Sequence, residues 1–347
     1  FKNIEQAFKT PQKFFSSKEV PKITIGYVPK TDELLHEKGF DHPEYIKEIL
    51  NIDQYLGNLL NFLDSVGYND TTAIGIVSDH GNYKAQQVGD LEPFFRSNGL
   101  TPYDPKTGKG DFDANFGCVG SFNFPGKTWH HHPKINDMKK FNPMATSKTI
   151  DLFDILWKIP GVKLMYYRDD NNTPEEGKIY VKKKNKKGQI SSALIEYKGM
   201  GTELKTKYII EDGEIFGYSN DEKSTELIDG KFHLIDNWLS KTYDIDFPII
   251  IDQIPRYFMN PRSSDIVVST LGEYSYNYEH GKTMSDHLYS HDIALKNTMT
   301  VPFIIGGAEA IPREEIEYCK TTDLVPTILE LLGINPHKSV VGNNLII

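Results

Sequence analysis

The stretch TAIGIVSDHGNY, residues 72–83, decides how the chain is read. Ile74, Ile76 and Val77 form a short apolar run of the kind that parallel sheets bury on both faces, and the run ends on Asp79 and His80. An acid beside an imidazole at the mouth of a buried strand is a place for chemistry. Upstream, KITIGYV (22–28) alternates and carries β-branched residues, which predicts a strand. From Pro43 to Val66 the apolar positions Ile46, Ile49, Leu50, Leu56, Leu59, Leu60 and Leu63 recur at three- and four-residue steps behind a proline. That spacing predicts a long amphipathic helix. Strand, helix, strand is a βαβ unit with parallel strands and a right-handed crossover. In such sheets ligands collect at the carboxyl ends of the strands, where Asp79 and His80 stand.

Residues 84–145 are rich in Gly, Pro and Asp and read as an extended loop. SKTIDLFDILWK (147–158) predicts a helix with Ser147 as its cap. GVKLMYY, GKIYVKKK, GQISSALIEY and TKYIIE then predict a small, mostly antiparallel sheet, with the lysine run 182–187 as a solvated hairpin turn. SSDIVVST (263–270) and TVPFIIGG (300–307) predict buried strands, and TDLVPTILELLGI (322–334) an amphipathic helix ended by Gly333. The expected fold class is α/β: a mostly parallel sheet flanked by helices, interrupted by a small antiparallel α+β subdomain. The boundaries put the first part of the core at 1–115, the insertion at 116–258 and the return to the core at 259–347.

Composition bounds the rest. With 347 residues, 38% of them hydrophobic, the chain can bury a substantial core. No run approaches the roughly 18 apolar residues of a membrane helix, and FKNIEQAFKTPQKFF at the start lacks the apolar centre of a signal peptide. A net charge of -9 argues against an extended nucleic-acid face. Cys118 and Cys319 are too few for a disulfide framework, which favours a cytoplasmic location, with export open if a segment ahead of Phe1 carries a signal. Asn69 and Asn171 open N-x-T sequences.

Three clusters stand at the ends of expected strands. In TDELLHEKG, Asp32 and His36 lie four apart and share a face if the segment is helical. Asp79 and His80 are the second. EHGKTMSDHLYSHD, with His280, His287 and His291, is the third. Carboxylate with imidazole suits zinc or manganese. The histidines of WHHH (129–132) could reach over such a site, and Phe94, Phe95, Phe112 and Phe116 could stack on a base or pack a core.

Taken in order, D-x-x-x-H-x-x-G (Asp32, His36, Gly39), V-S-D-H-G (Val77 to Gly81), a late S-H, V-P-F-I-I-G-G and T-D-L-V-P-T-I-L-E-L-L-G resemble the alkaline phosphatase superfamily. Within it they are most similar to the type I phosphodiesterase and nucleotide pyrophosphatase group, over residues 20–83 and 262–334. The resemblance implies an alkaline phosphatase-like core and two divalent metal ions, zinc with manganese as the alternative. It implies Asp32, His36 and His291 around one ion and Asp79 and His80 around the other. His291 has the family's spacing to the V-P strand, although Asp292 stands where glycine is usual; His280 and His287 are the alternative or outer-lying histidines. The family's remaining aspartate and its Thr, Ser or modified Cys nucleophile would precede Phe1, which implies an N-terminal fragment of the same protein as partner. Neither cysteine has the C-x-P-S-R setting of a sulfatase. The implied activity is hydrolysis of phosphate esters, as a phosphodiesterase or phosphatase acting on a phosphorylated small molecule or nucleotide-like substrate. A non-catalytic metal-binding subunit, a phosphomutase and an oligomeric state remain alternatives.

Overall fold

The computed structural model describes residues 2–10 and 20–346, so Phe1 and residues 11–15 of the opening stretch lie outside it. The chain divides into two compact units, Phe1–Asp79 with Val301–Ile347, and His80–Thr300.

In the first unit the long helix forms as its spacing demands, over Pro43–Ser65. Pro43 occupies the first turn, where its missing N–H costs nothing, and His42 caps it by accepting the Glu44 N–H on Nδ1 at 3.3 Å. Leu59 and Leu63 are buried, and Phe62 meets Phe8 edge-on at 6.2 Å. The helix Lys30–Lys38 ends at Gly39, whose φ of 86° suits a residue without Cβ. The expected strand at 22–28 does not form: the segment has no ladder partner among the described residues, and Ile25 is 90% exposed. Alternation alone cannot make a strand, because its backbone groups need a neighbouring chain to bond. Ile74–Val77 pairs instead with Phe303–Gly306, antiparallel, from Ile74↔Gly306 to Val77↔Phe303. The expected parallel βαβ unit is therefore replaced by an antiparallel ribbon. The last helix, Leu324–Leu331, agrees with the pattern, and Gly333 follows it at φ 63°.

The second unit is built on a ten-stranded sheet. Its spatial order is His233–Leu234, Lys205–Asp212, Ile190–Lys198, Glu176–Lys184, Leu164–Arg168, Ile266–Ser269, Val119–Asn123, Asp113–Phe116, Tyr278–Glu279, Lys282–Thr283. Every pairing in it is antiparallel, which corrects the mostly parallel sheet expected. The four strands from Leu164 to Asp212 form where their alternation placed them, and tight turns between consecutive strands impose the antiparallel sense. Ile266–Ser269 is a continuous apolar run, yet it lies between antiparallel neighbours. Both of its faces are covered: Ile266 and Val268 join Met165 and Tyr167 in one core, while Val267 joins Leu164 and Tyr166 in another. Helix Leu152–Lys158 contributes to the first core, and helices Ile235–Thr242 and Ile250–Met259 to the second.

The segment read as a loop, 84–145, contains helices Glu92–Ser97 and Ile135–Lys139 and two strands of the sheet. Gly120 is needed there, since a Cβ would lie 2.6 Å from the Phe116 ring. Phe95, Phe112 and Phe116 are buried in the core, so packing is their role rather than an exposed stacking face. The helix after Ser147 begins at Leu152 and is capped by Asp151, which accepts the Phe153 N–H at 2.8 Å. Lys183 and Lys184 are not solvated as expected: their ammonium groups donate to the Ile215 and Trp157 carbonyls, each at 2.6 Å. Long aliphatic stems let them lie along the sheet and reach those acceptors.

Candidate functional site

In the first unit Asp32 and His36 fall on one face of the helix Lys30–Lys38, and their side chains meet, Oδ1 to Nε2, at 3.3 Å. Both are partly exposed. Asp79 follows the strand Ile74–Val77 and accepts the Ser78 hydroxyl at 3.4 Å.

In the second unit the ladder pairing Tyr83–Lys84 with Tyr289–Ser290 sets the histidines side by side. The Ala85 N–H donates to the Leu288 carbonyl at 2.7 Å and extends that pairing. His80, three residues before the ladder, then stacks on His291, one residue after it, with ring centroids 3.9 Å apart and planes inclined by 29°. Nδ1 of His80 lies 3.0 Å from the Gly81 carbonyl. A carbonyl can only accept, so this contact puts the proton on Nδ1 and leaves Nε2 with its lone pair. The Gly81 N–H donates to the Thr298 carbonyl at 2.8 Å.

The other histidines go elsewhere. His280 faces Asp113 at 3.1 Å in a left-handed backbone conformation, φ 45°. The His287 carbonyl accepts from Asn277 at 2.8 Å. In the WHHH run, Trp129 packs on Tyr103, His131 bonds Thr128, and His132 lies between the Asp265 carboxylate and the Pro261 carbonyl. Asp292 directly follows His291, where the family resembled usually has glycine. It is 3% exposed, and burial pushes its carboxyl up to about 6 against the opposing bonds from Ser269, Ala294 and Ile293. Burial likewise raises the thiol of nearby Cys118.

The donor set fits a divalent cation. Two ligand atoms bound to zinc at 2.0–2.1 Å and a tetrahedral angle lie about 3.3 Å apart, and Asp32 Oδ1 and His36 Nε2 are 3.3 Å apart. The Gly81 carbonyl behind His80 is the kind of acceptor that orients a ligating imidazole. Among the described residues, no three His, Cys, Asp or Glu side chains gather into a ready-made metal cage.

Carboxylate beside imidazole is a donor combination suited to a divalent cation of the zinc or manganese kind. Residues 1–293 match the model of the type I phosphodiesterase / nucleotide pyrophosphatase family, and the chain belongs to that family. It is a phosphoric ester hydrolase of a family that acts on phosphodiester or nucleotide substrates and is typically metal-dependent. No protein of curated function and no solved structure matches it.

Proposed function

We propose that the protein hydrolyses a phosphodiester or nucleotide-like ester with two divalent cations, zinc or alternatively manganese, Asp32, His36 and His291 serving one and Asp79 and His80 the other. The observation that carries this reading is the stacked pair His80–His291, one ring backed by the Gly81 carbonyl. The bound cations would neutralise the charge that grows on the phosphoryl oxygens during in-line displacement. Asp32 and Asp79 bring the negative charge that retains such ions, and the imidazoles bring neutral nitrogen donors. The Gly81 carbonyl keeps the His80 proton on Nδ1 and leaves the Nε2 lone pair for a cation. Pairing of His36 with Asp32 restrains the one long-range freedom a helix surface leaves them, their rotamers.

The test is metal content and turnover in the full-length protein. His80→Ala and His291→Ala should each reduce bound zinc and slow hydrolysis of a chromogenic phosphodiester by at least tenfold. Full zinc content and unchanged turnover in both would overturn the assignment.

A further inference from the structure

The acid that follows His291 sits in the interior of its unit. Asp292 is 3% exposed, its neighbour in space Ser269 is fully buried, and Thr298 is 1% exposed. A carboxylate at such a place needs partners, and each of its oxygens has one. The Ser269 hydroxyl donates to Oδ2, and the Ala294 N–H donates to Oδ1 at 3.0 Å. Ser269 ends the strand Ile266–Ser269 in the middle of the large sheet, so the contact moors the segment after His291 to the most buried strand. The main-chain carbonyl of Asp292 accepts the Thr298 hydroxyl at 2.8 Å, which closes residues 292–298 into a loop. The Thr298 carbonyl takes the Gly81 N–H at 2.8 Å, and the Gly81 carbonyl faces His80 Nδ1 at 3.0 Å. One unbroken run of hydrogen bonds thus begins one residue from His291 and ends on His80.

We infer that Asp292 is a positioning residue for the phosphoester chemistry: moored through Ser269, it holds His291 directly and His80 through Thr298 and Gly81, keeping the two imidazoles stacked. The inference rests on the reading of both histidines as metal ligands. A buried carboxylate is an expensive way to close a loop, and an apolar side chain could fill the space at less cost. The carboxylate differs from such a filler in fixing direction, because donors on both of its oxygens hold the side chain against rotation.

Asp292→Asn preserves shape and weakens this fixing. Its single amide oxygen replaces only one of the two carboxylate oxygens; if it keeps the backbone donors, its NH2 faces the Ser269 hydroxyl, which already accepts the Leu271 N–H at 2.9 Å and loses its own acceptor. Thr298→Val breaks the second link without changing volume. Both variants, singly and combined, are compared with wild type by zinc competition against a chromophoric chelator, by Cε1–H resonances of His80 and His291 in zinc-free protein, and by urea unfolding. The expected result is a tenfold to hundredfold loss of zinc affinity. Both histidine resonances should also shift as each ring leaves the other's ring current, and the double variant should be little worse than the worse single one. If the urea midpoint falls while zinc affinity stays within twofold and the resonances do not move, Asp292 only supports the fold and the inference is overturned. Wild-type protein that takes up no zinc would instead refute the ligand reading, and the histidine resonances would still decide whether Asp292 holds the pair.

Discussion

Replacing Gly81 by alanine tests the joint at which His80 is held. A Cβ at this position would stand 2.3 Å from the Asn297 carbonyl oxygen and 3.3 Å from Thr298 Cα. Both are backbone atoms, so no flexible side chain can swing away. The carbonyl must retreat by roughly 1 Å to reach van der Waals distance, and that movement breaks the 2.8 Å bond from the Gly81 N–H to Thr298. Overpacking of about 1–3 kcal/mol and a lost hydrogen bond of about 1 kcal/mol add to a destabilisation of about 2–4 kcal/mol. Trp129, Trp157 and Trp238 all lie between His80 and Thr300, so tryptophan fluorescence in urea reports on this unit alone. The midpoint should fall with an unchanged slope, and the His80 and His291 resonances should move with it. A midpoint equal to wild type would show that the close approach of these two backbone segments does not exist in solution.

Further outcomes follow from other residues. Gly57, in the middle of the helix Pro43–Ser65, has nothing within 4 Å of its would-be Cβ, so Gly57→Ala should stabilise the protein by about 0.5–1 kcal/mol in circular-dichroism melts. Asp151→Ala removes the acceptor of the Phe153 N–H and should cost about 1 kcal/mol, whereas Ser147→Ala should change nothing measurable in the same denaturation assay. Glu214 is half-buried, which pulls its carboxyl up, but the Ser219, Phe216 and Tyr208 hydrogen bonds outweigh this and leave it below the ordinary glutamate value. Its stabilisation is therefore complete above that ordinary value and lost as pH falls through the lowered one. Glu214→Gln should cost about 1–3 kcal/mol at neutral pH and flatten the acid limb of stability against pH.

Local chemistry was legible in the sequence wherever it depended on near neighbours. The helix Pro43–Ser65 and the strands from Leu164 to Asp212 follow from periodicity because each buries its apolar residues at its own repeat. The helical placement of Asp32 and His36 is of the same kind. Pairing partners were not legible. KITIGYV has the composition of a strand but no ladder partner among the described residues, and Ile266–Ser269 has the look of a parallel strand while lying between antiparallel ones. The strands Asp113–Phe116 and Val119–Asn123 were hidden by Gly and Asp, residues that usually mark turns, although Gly120 here makes room for the Phe116 ring. At the site, spacing to the V-P strand selected His291, and the structure stacks that residue on His80. The Asp292–Thr298–Gly81 chain left no motif, since two of its links run through main-chain atoms that every residue possesses.

The most direct measurement is anomalous diffraction at the zinc absorption edge from crystals of zinc-loaded, full-length protein. The account predicts two neighbouring peaks, one within bonding distance of Asp32, His36 and His291 and one within bonding distance of Asp79 and His80. Peaks at other residues, or none in protein that hydrolyses a phosphodiester, would contradict it.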